Sequence, residues 1–396
     1  MRSPAARWGV LAVLSLARTA IAFQFQSAGA LAPDLVAGLR IDYAGIGTLI
    51  GLYMLPGIIL AVPGGMLGQR FGDKRVVLYG LTAMVAGGAL AASAGSFGTA
   101  VAGRLIGGAG GVLVNVLLTK MVTDWFAGRE IATALGVFVT SWPLGMGLAL
   151  VLEPWLAAAW SPAVALHATD AAAALVAALT AAVYRSPDGA VPAARSARPE
   201  LSRRELGLIT LAGMIWSLFN VGYNLLVSFA PAMLVAGGAA ATAAGLATSL
   251  ATWTTSATVL LGGVLTDRLR SATLLMAACF VLLAATMLLA PVAAPVTMIA
   301  VAGIVGGIPA GAIMALPAEL LRPAGRGPGM GVFFTWYYVG MAALPPLAGA
   351  ARDLTGLAGA PVLVGGAVEI GALAALVALR LVQARFAPRG AGRGLG

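Results

Sequence analysis

The sequence predicts an all-α membrane protein, with twelve transmembrane helices arranged as two pseudo-symmetric halves of six. Three observations predict it. Of 396 residues, 60% are hydrophobic and only 10% are charged, with a mean hydropathy of +0.96; soluble domains carry about 25% charged residues. The apolar residues fall in long runs, and roughly 20 in succession cross a bilayer. The third is an internal repeat at a spacing of about 198 residues, centred on one long charged stretch from Arg185 to Glu205.

Breaks at charged or Gly/Pro-rich turns place the spans near 8–31, 44–68, 76–95, 98–122, 131–155, 162–184, 207–234, 243–265, 272–291, 295–320, 328–350 and 360–382. Membrane-barrel strands would be about ten residues of alternating polarity, so helices remain. Arg2 and Arg7 before an apolar stretch, with Ala30-Leu31-Ala32 after it, look like a cleaved signal. The stretch is too long for that, contains Arg18 and has a counterpart in the second half, and is therefore read as the first span.

The formal charge of +10 would suit nucleic acid, but its placement argues otherwise. Of 24 lysines and arginines, Arg18 and Arg104 lie deep inside spans, and Arg40 and Arg352 lie in loops of one side; the rest occupy the tails and the alternate loops or, for Lys120 and Arg380, the span ends beside them. That bias places both termini in the cytoplasm and requires an even number of spans. The expected location is the inner (cytoplasmic) membrane, with the lipid bilayer as partner, no nucleic acid, and a monomeric chain. Cys279 is the only cysteine and His167 the only histidine. No disulfide framework, metal site, cofactor or Ser/His/Asp triad is expected, and the chain is not read as an enzyme.

The repeat sets the domain organisation. Ala32-Pro33 recurs as Ala230-Pro231, Gly65-Met-Leu-Gly-Gln-Arg70 as Gly263-Val-Leu-Thr-Asp-Arg268, and Ala168-Thr-Asp170 as Ala367-Val-Glu369. Residues 1–184 form one half, 185–206 a cytoplasmic linker and 207–396 the other half. Six spans per half give both the same topology, related by an axis along the membrane normal. Parallel halves with a site between them are a transporter architecture.

The segment Gly65-Met-Leu-Gly-Gln-Arg70-Phe-Gly72-Asp-Lys74-Arg75 resembles the loop signature of the major facilitator superfamily, G-x-L-x-D-R-x-G-R-K. It stands between spans two and three, where that family has it. Gln69 replaces the usual acid, while the second copy keeps Asp267-Arg268. Arg104-Leu-Ile-Gly107-Gly-Ala-Gly110 in span four also matches. The resemblance implies that Gly65, Arg70, Gly72, Asp267 and Arg268 latch the two halves and gate their motion; a purely topogenic positive loop is the other reading. Gly65 suits close helix approach, and the basic residues suit acids and helix C-termini. Asp124-Trp-Phe-Ala-Gly-Arg129-Glu130, followed by Ala134 and Gly136, loosely resembles facilitators of small anions. Arg18 within span one resembles the cyanate and nitrate-type branch.

An ionisable group in hydrocarbon faces protein or a water-filled cavity. Ala22, Phe25 and Gln26 share the face of Arg18, while Gln24 points elsewhere. The repeat sets Trp216 opposite Arg18, Asn220 opposite Ala22 and Asn224 opposite Gln26, giving the stripe Trp216, Asn220, Tyr223 and Asn224. The resemblance implies that spans one, four, seven and ten line the cavity. A guanidinium there offers a planar fork for carboxylate- or nitrate-like oxyanions; alternatively Arg18 ties helices together. Arg104 and Asn115 share a face of span four. Arg104 is read either as a coupling and gating residue or as a fixed partner of Asp170. Trp142 and Tyr337, aligned through Gly145-Met146 and Gly340-Met341, complete the candidates. Asp170, Glu369 and His167 are read as structural, and Thr252, Thr255 and Ser256 equally as helix contact or site.

No carboxylate stands in the spans expected to line the cavity, which favours exchange, uniport or substrate-borne proton transfer. The expected activity is secondary transport of a small, anionic solute by alternating access. The rival within the same class is export of amphipathic, drug-like compounds. A membrane enzyme or a receptor lacks residues to support it.

Overall fold

In a computed structural model, residues 4–126, 130–186, 201–268 and 271–385 are described. Among them the secondary structure is helical without strands. The first half comprises α1 (Pro4–Ala30), α2 (Ala32–Leu39), α3 (Tyr43–Met54), α4 (Gly57–Phe71), α5 (Asp73–Ala92), α6 (Phe97–Phe126), α7 (Ile131–Ala159) and α8 (Pro162–Val183). The second comprises α9 (Arg203–Ala236), α10 (Ala241–Arg268), α11 (Ala272–Leu289), α12 (Pro295–Gly306), α13 (Ala310–Leu320), α14 (Arg326–Thr355) and α15 (Ala360–Arg385). Among the described residues ten segments are long and apolar enough to cross a membrane. Ile59, Tyr79, Leu175, Leu274 and Leu381 are each more than half exposed on the outside. Such an apolar surface suits lipid, since soluble monomers rarely present one.

Two expected spans are not single helices. The second is interrupted at Leu55-Pro56 and the tenth at Gly307-Ile308-Pro309. A proline has no N–H to give to the preceding turn, and its ring crowds the carbonyl four residues back. The helix starts follow local chemistry. Ser161, Ser202 and Ser271 accept from backbone N–H groups of the first turns of α8, α9 and α11, and Glu205 returns the bond to Ser202 as a capping box.

Two apolar cores form. One is built mainly from α1–α8 and the other from α9–α15. Within the first half, α5 packs closely on α6 and α8, and α1 on α7; within the second, α15 packs on α9 and α11. The halves meet mainly where α3 packs on α14, α7 on α10 and α1 on α9. The first seam depends on absent side chains. A Cβ on Gly47 or Gly51 would lie inside contact distance of the Pro345 or Ala342 carbonyl, and small residues permit such approach in membranes.

The seams close the end of the bundle that carries Tyr43 and Asp353, here termed the far end. Asp353 Oδ1 accepts from the Tyr43 N–H (3.0 Å) and Oδ2 from the Ala44 N–H (2.7 Å). Asp42 takes the Gly45 N–H at 2.8 Å, so α14 and the preceding loop together satisfy three of the open donors at the start of α3. Arg352 lies 3.5 Å over the Tyr43 ring. At the other end, which holds the loop motif, a cleft of about 550 Å³ lies along α14 beside Val62 of α4, lined also by Gly331, Thr335 and Trp336.

The loop motif makes contacts within its own half. Lys74 Nζ donates to the Ala181 and Tyr184 carbonyls, both at 2.7 Å, closing the C-terminus of α8. Lys120 of α6 pairs with Asp73 and, at 3.0 Å, with Asp124. Burial and the nearby Asp73 push the Tyr184 phenol up to about 12. The expected role of Gly65 in close approach is corrected: a Cβ there meets nothing within 4 Å. Gly68 is the crowded glycine, against Asp73 and Leu117. Gly72 has φ +87°, a conformation that favours glycine. Arg268 is exposed. The Asp267 side chain, Arg129 and linker residues 187–200 lie outside the described residues.

Candidate functional site

Arg18 sits midway along α1, partly buried. Its Nη1 donates to the Phe138 carbonyl at 3.3 Å. The guanidinium lies 4.7 Å from the centre of the Phe138 ring and 5.9 Å from that of Trp142. Both residues belong to α7, which faces α1 because Gly145 leaves room for the Thr19 carbonyl and Ala22. Tyr337 and Tyr338 of α14 lie near enough to interact electrostatically with Arg18. Nε of Arg18 is buried without a partner among the described residues. No carboxylate is paired with Arg18 among the described salt bridges.

Further polar atoms beside Tyr337 and Tyr338 are without partners among the described residues. They include Asn115 Oδ1 and Trp216 Nε1. Asn115 of α6 is within bonding reach of the Tyr338 hydroxyl. Trp216 of α9 lies 6.4 Å from Tyr337 and stacks at 6.0 Å on Phe333. Tyr337 and Tyr338 meet edge to face at 5.1 Å. Thus Arg18, Trp142, Asn115, Trp216 and Tyr337 are brought together from α1, α6, α7, α9 and α14. Thr335 and Trp336, adjacent in sequence, line the cleft. Unsatisfied buried donors and acceptors are costly, so this group can hydrogen-bond an oxygen-bearing ligand.

The other candidates face elsewhere. Gln26 is buried in the α1–α9 seam, donating to the Val227 carbonyl at 3.3 Å and accepting from Ser228 at 3.5 Å. Asn220 donates to the Trp216 carbonyl of its own helix at 2.7 Å. The Tyr223 hydroxyl meets Thr255 Oγ1 at 2.5 Å, and Thr255 bonds the Gly303 carbonyl at 2.8 Å, tying α9, α10 and α12. Asn224 Oδ1 is buried and unpartnered among the described residues. The shared helical face was therefore an incomplete guide: Gln26 lies two turns beyond Arg18, where the halves have already closed.

Arg104 is 7% exposed and fully engaged. Nε donates to the Leu49 carbonyl at 2.8 Å, Nη1 to Gln24 at 2.6 Å and Nη2 to Phe25 at 2.7 Å, and the cation lies 4.5 Å from the centre of the Tyr53 ring. Asp170 takes His167 as its partner, at 3.0 Å, instead of Arg104. Gln24 points away from Arg18, donating to the Met84 carbonyl at 2.9 Å and accepting from Tyr53 at 3.1 Å. Replacing Arg104 with Ala leaves three buried carbonyls without these donors. Each such loss costs about 1–3 kcal/mol, so the purified variant should melt well below wild type; an unchanged melting curve would show that Arg104 is not holding α1 to α3.

Sequence reasoning passed over two residues here. Tyr338, 5% exposed, stands beside Asn115 and Arg18 although its neighbour Tyr337 was preferred. Glu153, on α7, is fully buried and accepts from Ser27 of α1 at 2.7 Å. A carboxylate does reach span one, carried by span five. The signal was present, an acid inside an apolar run, but nothing in sequence told which helix it faced.

The description "Major Facilitator Superfamily" matches residues 14–237, more than half of the chain. The inner membrane transport protein YajR of Escherichia coli (strain K12) is 28% identical over 109 residues, 28% of this chain and 24% of that protein. An MFS-type transporter of Aspergillus terreus (strain NIH 2624 / FGSC A1156) is 30% identical over 109 residues, 28% of this chain and 19% of that one. The chain therefore spans about a quarter or less of the length of these relatives. Solved structures match over nearly all of it. A mutant of the nucleoside transporter NupG has a TM-score of 0.75 at 14% identity, covering 94% of this chain and 99% of that one. The D-xylose-proton symporter has 0.75 at 15%, covering 93% and 97%. At such identities the likeness is one of fold. With the helical bundle, the paired loop motifs and the family match together, the chain belongs to the Major Facilitator Superfamily of membrane transporters.

Proposed function

We propose that this chain is a secondary transporter that carries a small anion, organic or inorganic, by rocking its two halves about a central site. Twelve spans make up the reading, with 1–184 and 207–396 as the halves and 185–206 as the linker. The substrate site is Arg18 with Asn115, Trp142, Trp216, Tyr337 and Tyr338. Asn220, Tyr223, Asn224 and Gln26 would join it only after the helices shift. Gly65, Arg70, Gly72, Asp267 and Arg268 form the gate of the loop-motif end.

One observation carries the preference for an anion. The Arg18 guanidinium has aromatic faces and a carbonyl around it but no carboxylate paired to it among the described residues. A planar fork of donors suits a carboxylate or nitrate-like oxyanion. The structural relatives are named for a nucleoside and for D-xylose, so the anion reading rests on this residue and not on likeness. A thermal-shift screen of purified protein tests it. Small carboxylates and inorganic oxyanions should raise the melting temperature, and hydrophobic cations should not. Stabilisation by hydrophobic cations alone would favour export of amphipathic compounds.

The charge bias of the loops supports a cytoplasmic position for both termini and the linker. The single native cysteine, Cys279, is buried. In Ser196→Cys, an impermeant maleimide added to intact cells should fail to label the new thiol and should label it after lysis. Efficient labelling of intact cells would invert the topology.

A further inference from the structure

The site around Arg18 has a second chemical feature besides its cation: its walls are aromatic. Phe138 lies against the guanidinium, whose carbon stands 4.7 Å from the centre of that ring. Trp142, one turn on along α7, reaches the same cation and leans on Phe25 of α1 at 5.8 Å. From the other half, Tyr337 and Tyr338 of α14 act electrostatically on Arg18. Tyr337 lies 6.4 Å from Trp216 of α9, which Phe333 backs at 6.0 Å with the planes 22° apart. Gly213 lets α9 and α14 come this close, since a Cβ there would lie 3.1 Å from the Phe333 backbone.

Accessibility separates the rings that line the site from those that support it. Phe25, Phe138 and Phe333 are at most 1% exposed. Trp142, Trp216 and Tyr337 are partly exposed, as is Arg18. Arg18 has Trp142 of one half and Tyr337 of the other as neighbours, so their open surface borders space between the halves. The chemistry of ring faces then narrows the ligand. An aromatic face carries the negative side of the ring quadrupole. It attracts the guanidinium and repels anionic oxygens, so the walls away from Arg18 suit neither a free oxyanion nor the second end of a dianion. They suit an uncharged planar group, which gains contact area and offset or edge-to-face stacking. The unpaired donors, by contrast, are few: Nε of Arg18 and Nε1 of Trp216 are buried without partners among the described residues. One carboxylate at Arg18 and one ring against Trp142 and Tyr337 use both features.

We propose that the anion this site takes is an aromatic carboxylate, held by its charge at Arg18 and by its ring between Trp142 of one half and Tyr337 of the other. The assignment rests on the anion reading given above and narrows it to one chemical class. Arg18 recognises the charge, whereas Trp142 and Tyr337 determine specificity for a planar ring. Because each half supplies one wall, the ring is gripped only where the two halves come together.

Benzoate and cyclohexanecarboxylate, titrated by calorimetry into the purified full chain, test this. They share charge and ring size, but the saturated ring is puckered and cannot stack. Apolar burial alone favours the saturated ring at least as much as the planar one. One aromatic pair strengthens binding about 2- to 12-fold beyond burial. With a ring on each side, wild type should prefer benzoate by about fivefold or more. That ratio should fall toward one in Trp142→Leu and in Tyr337→Leu, and hold in Tyr337→Phe, which keeps the ring. Equal affinities in wild type, or a ratio unmoved in both leucine variants, overturn the proposal. Should the variants not fold, the wild-type ratio decides alone. Acetate and nitrate separate this failure from that of the function. If they bind and benzoate shows no preference over cyclohexanecarboxylate, the aromatic assignment alone falls; if no anion binds, the anion reading falls with it.

Discussion

Arg18→Ala should bind the substrate anion roughly 10- to 100-fold more weakly than wild type while remaining folded. A charge-assisted hydrogen bond is worth roughly 1.5–3 kcal/mol, and about 1.4 kcal/mol is a tenfold change in affinity. Arg18→Lys is the sharper variant. It keeps the positive charge but loses the planar fork, so a carboxylate or nitrate-like ligand should suffer nearly as much. The guanidinium also spends one bond on the Phe138 carbonyl and rests on two rings. A part of any loss in melting temperature is therefore expected from packing alone. Calorimetry on monodisperse protein separates the two effects. Wild-type affinity with a lowered melting temperature would make Arg18 a tie between α1 and α7.

Gly47→Leu should hold the far end open. Its Cβ alone falls inside contact distance of the Pro345 carbonyl, and backbone atoms cannot yield as a flexible side chain can. Overpacking costs about 1–3 kcal/mol, a shift of about 5- to 150-fold in the balance between closed and open far ends. The closed end is otherwise held by Asp353 on the start of α3 and by Arg352 on Tyr43. A cysteine placed at Gly51 in the Gly47→Leu background should react with an impermeant thiol reagent much faster than in the wild-type background. Equal rates would show that the α3–α14 seam does not govern access.

Much of the fold was legible because a bilayer leaves few options. Apolar runs gave the helices. The proline interruptions at Pro56 and Pro309 were written in the chain, but whether a proline kinks, breaks or merely sits in a helix depends on neighbours. Pro143, Pro154, Pro345 and Pro346 all lie inside continuous helices. The site was half legible. Arg18 and Trp142 meet because a lone cation and an aromatic in apolar runs narrow the choices. Gln26 and Tyr223 misled because a helical face says which residues point together, not which partner helix they meet. Gly65 misled for a related reason: the motif fixes a glycine, whereas the close approach belongs to Gly68. Glu153 was hidden in the same way, since only packing set its helix against Ser27.

The central claim is that the chain moves a small anion through a site centred on Arg18. Uptake of radiolabelled small carboxylates and oxyanions into proteoliposomes, with and without the same unlabelled anion inside, tests it most directly. The account predicts saturable uptake of at least one anion, accelerated by internal anion and lost in Arg18→Lys. Anion uptake that is unchanged in Arg18→Lys, or no anion uptake by protein that moves a hydrophobic cation, would contradict it.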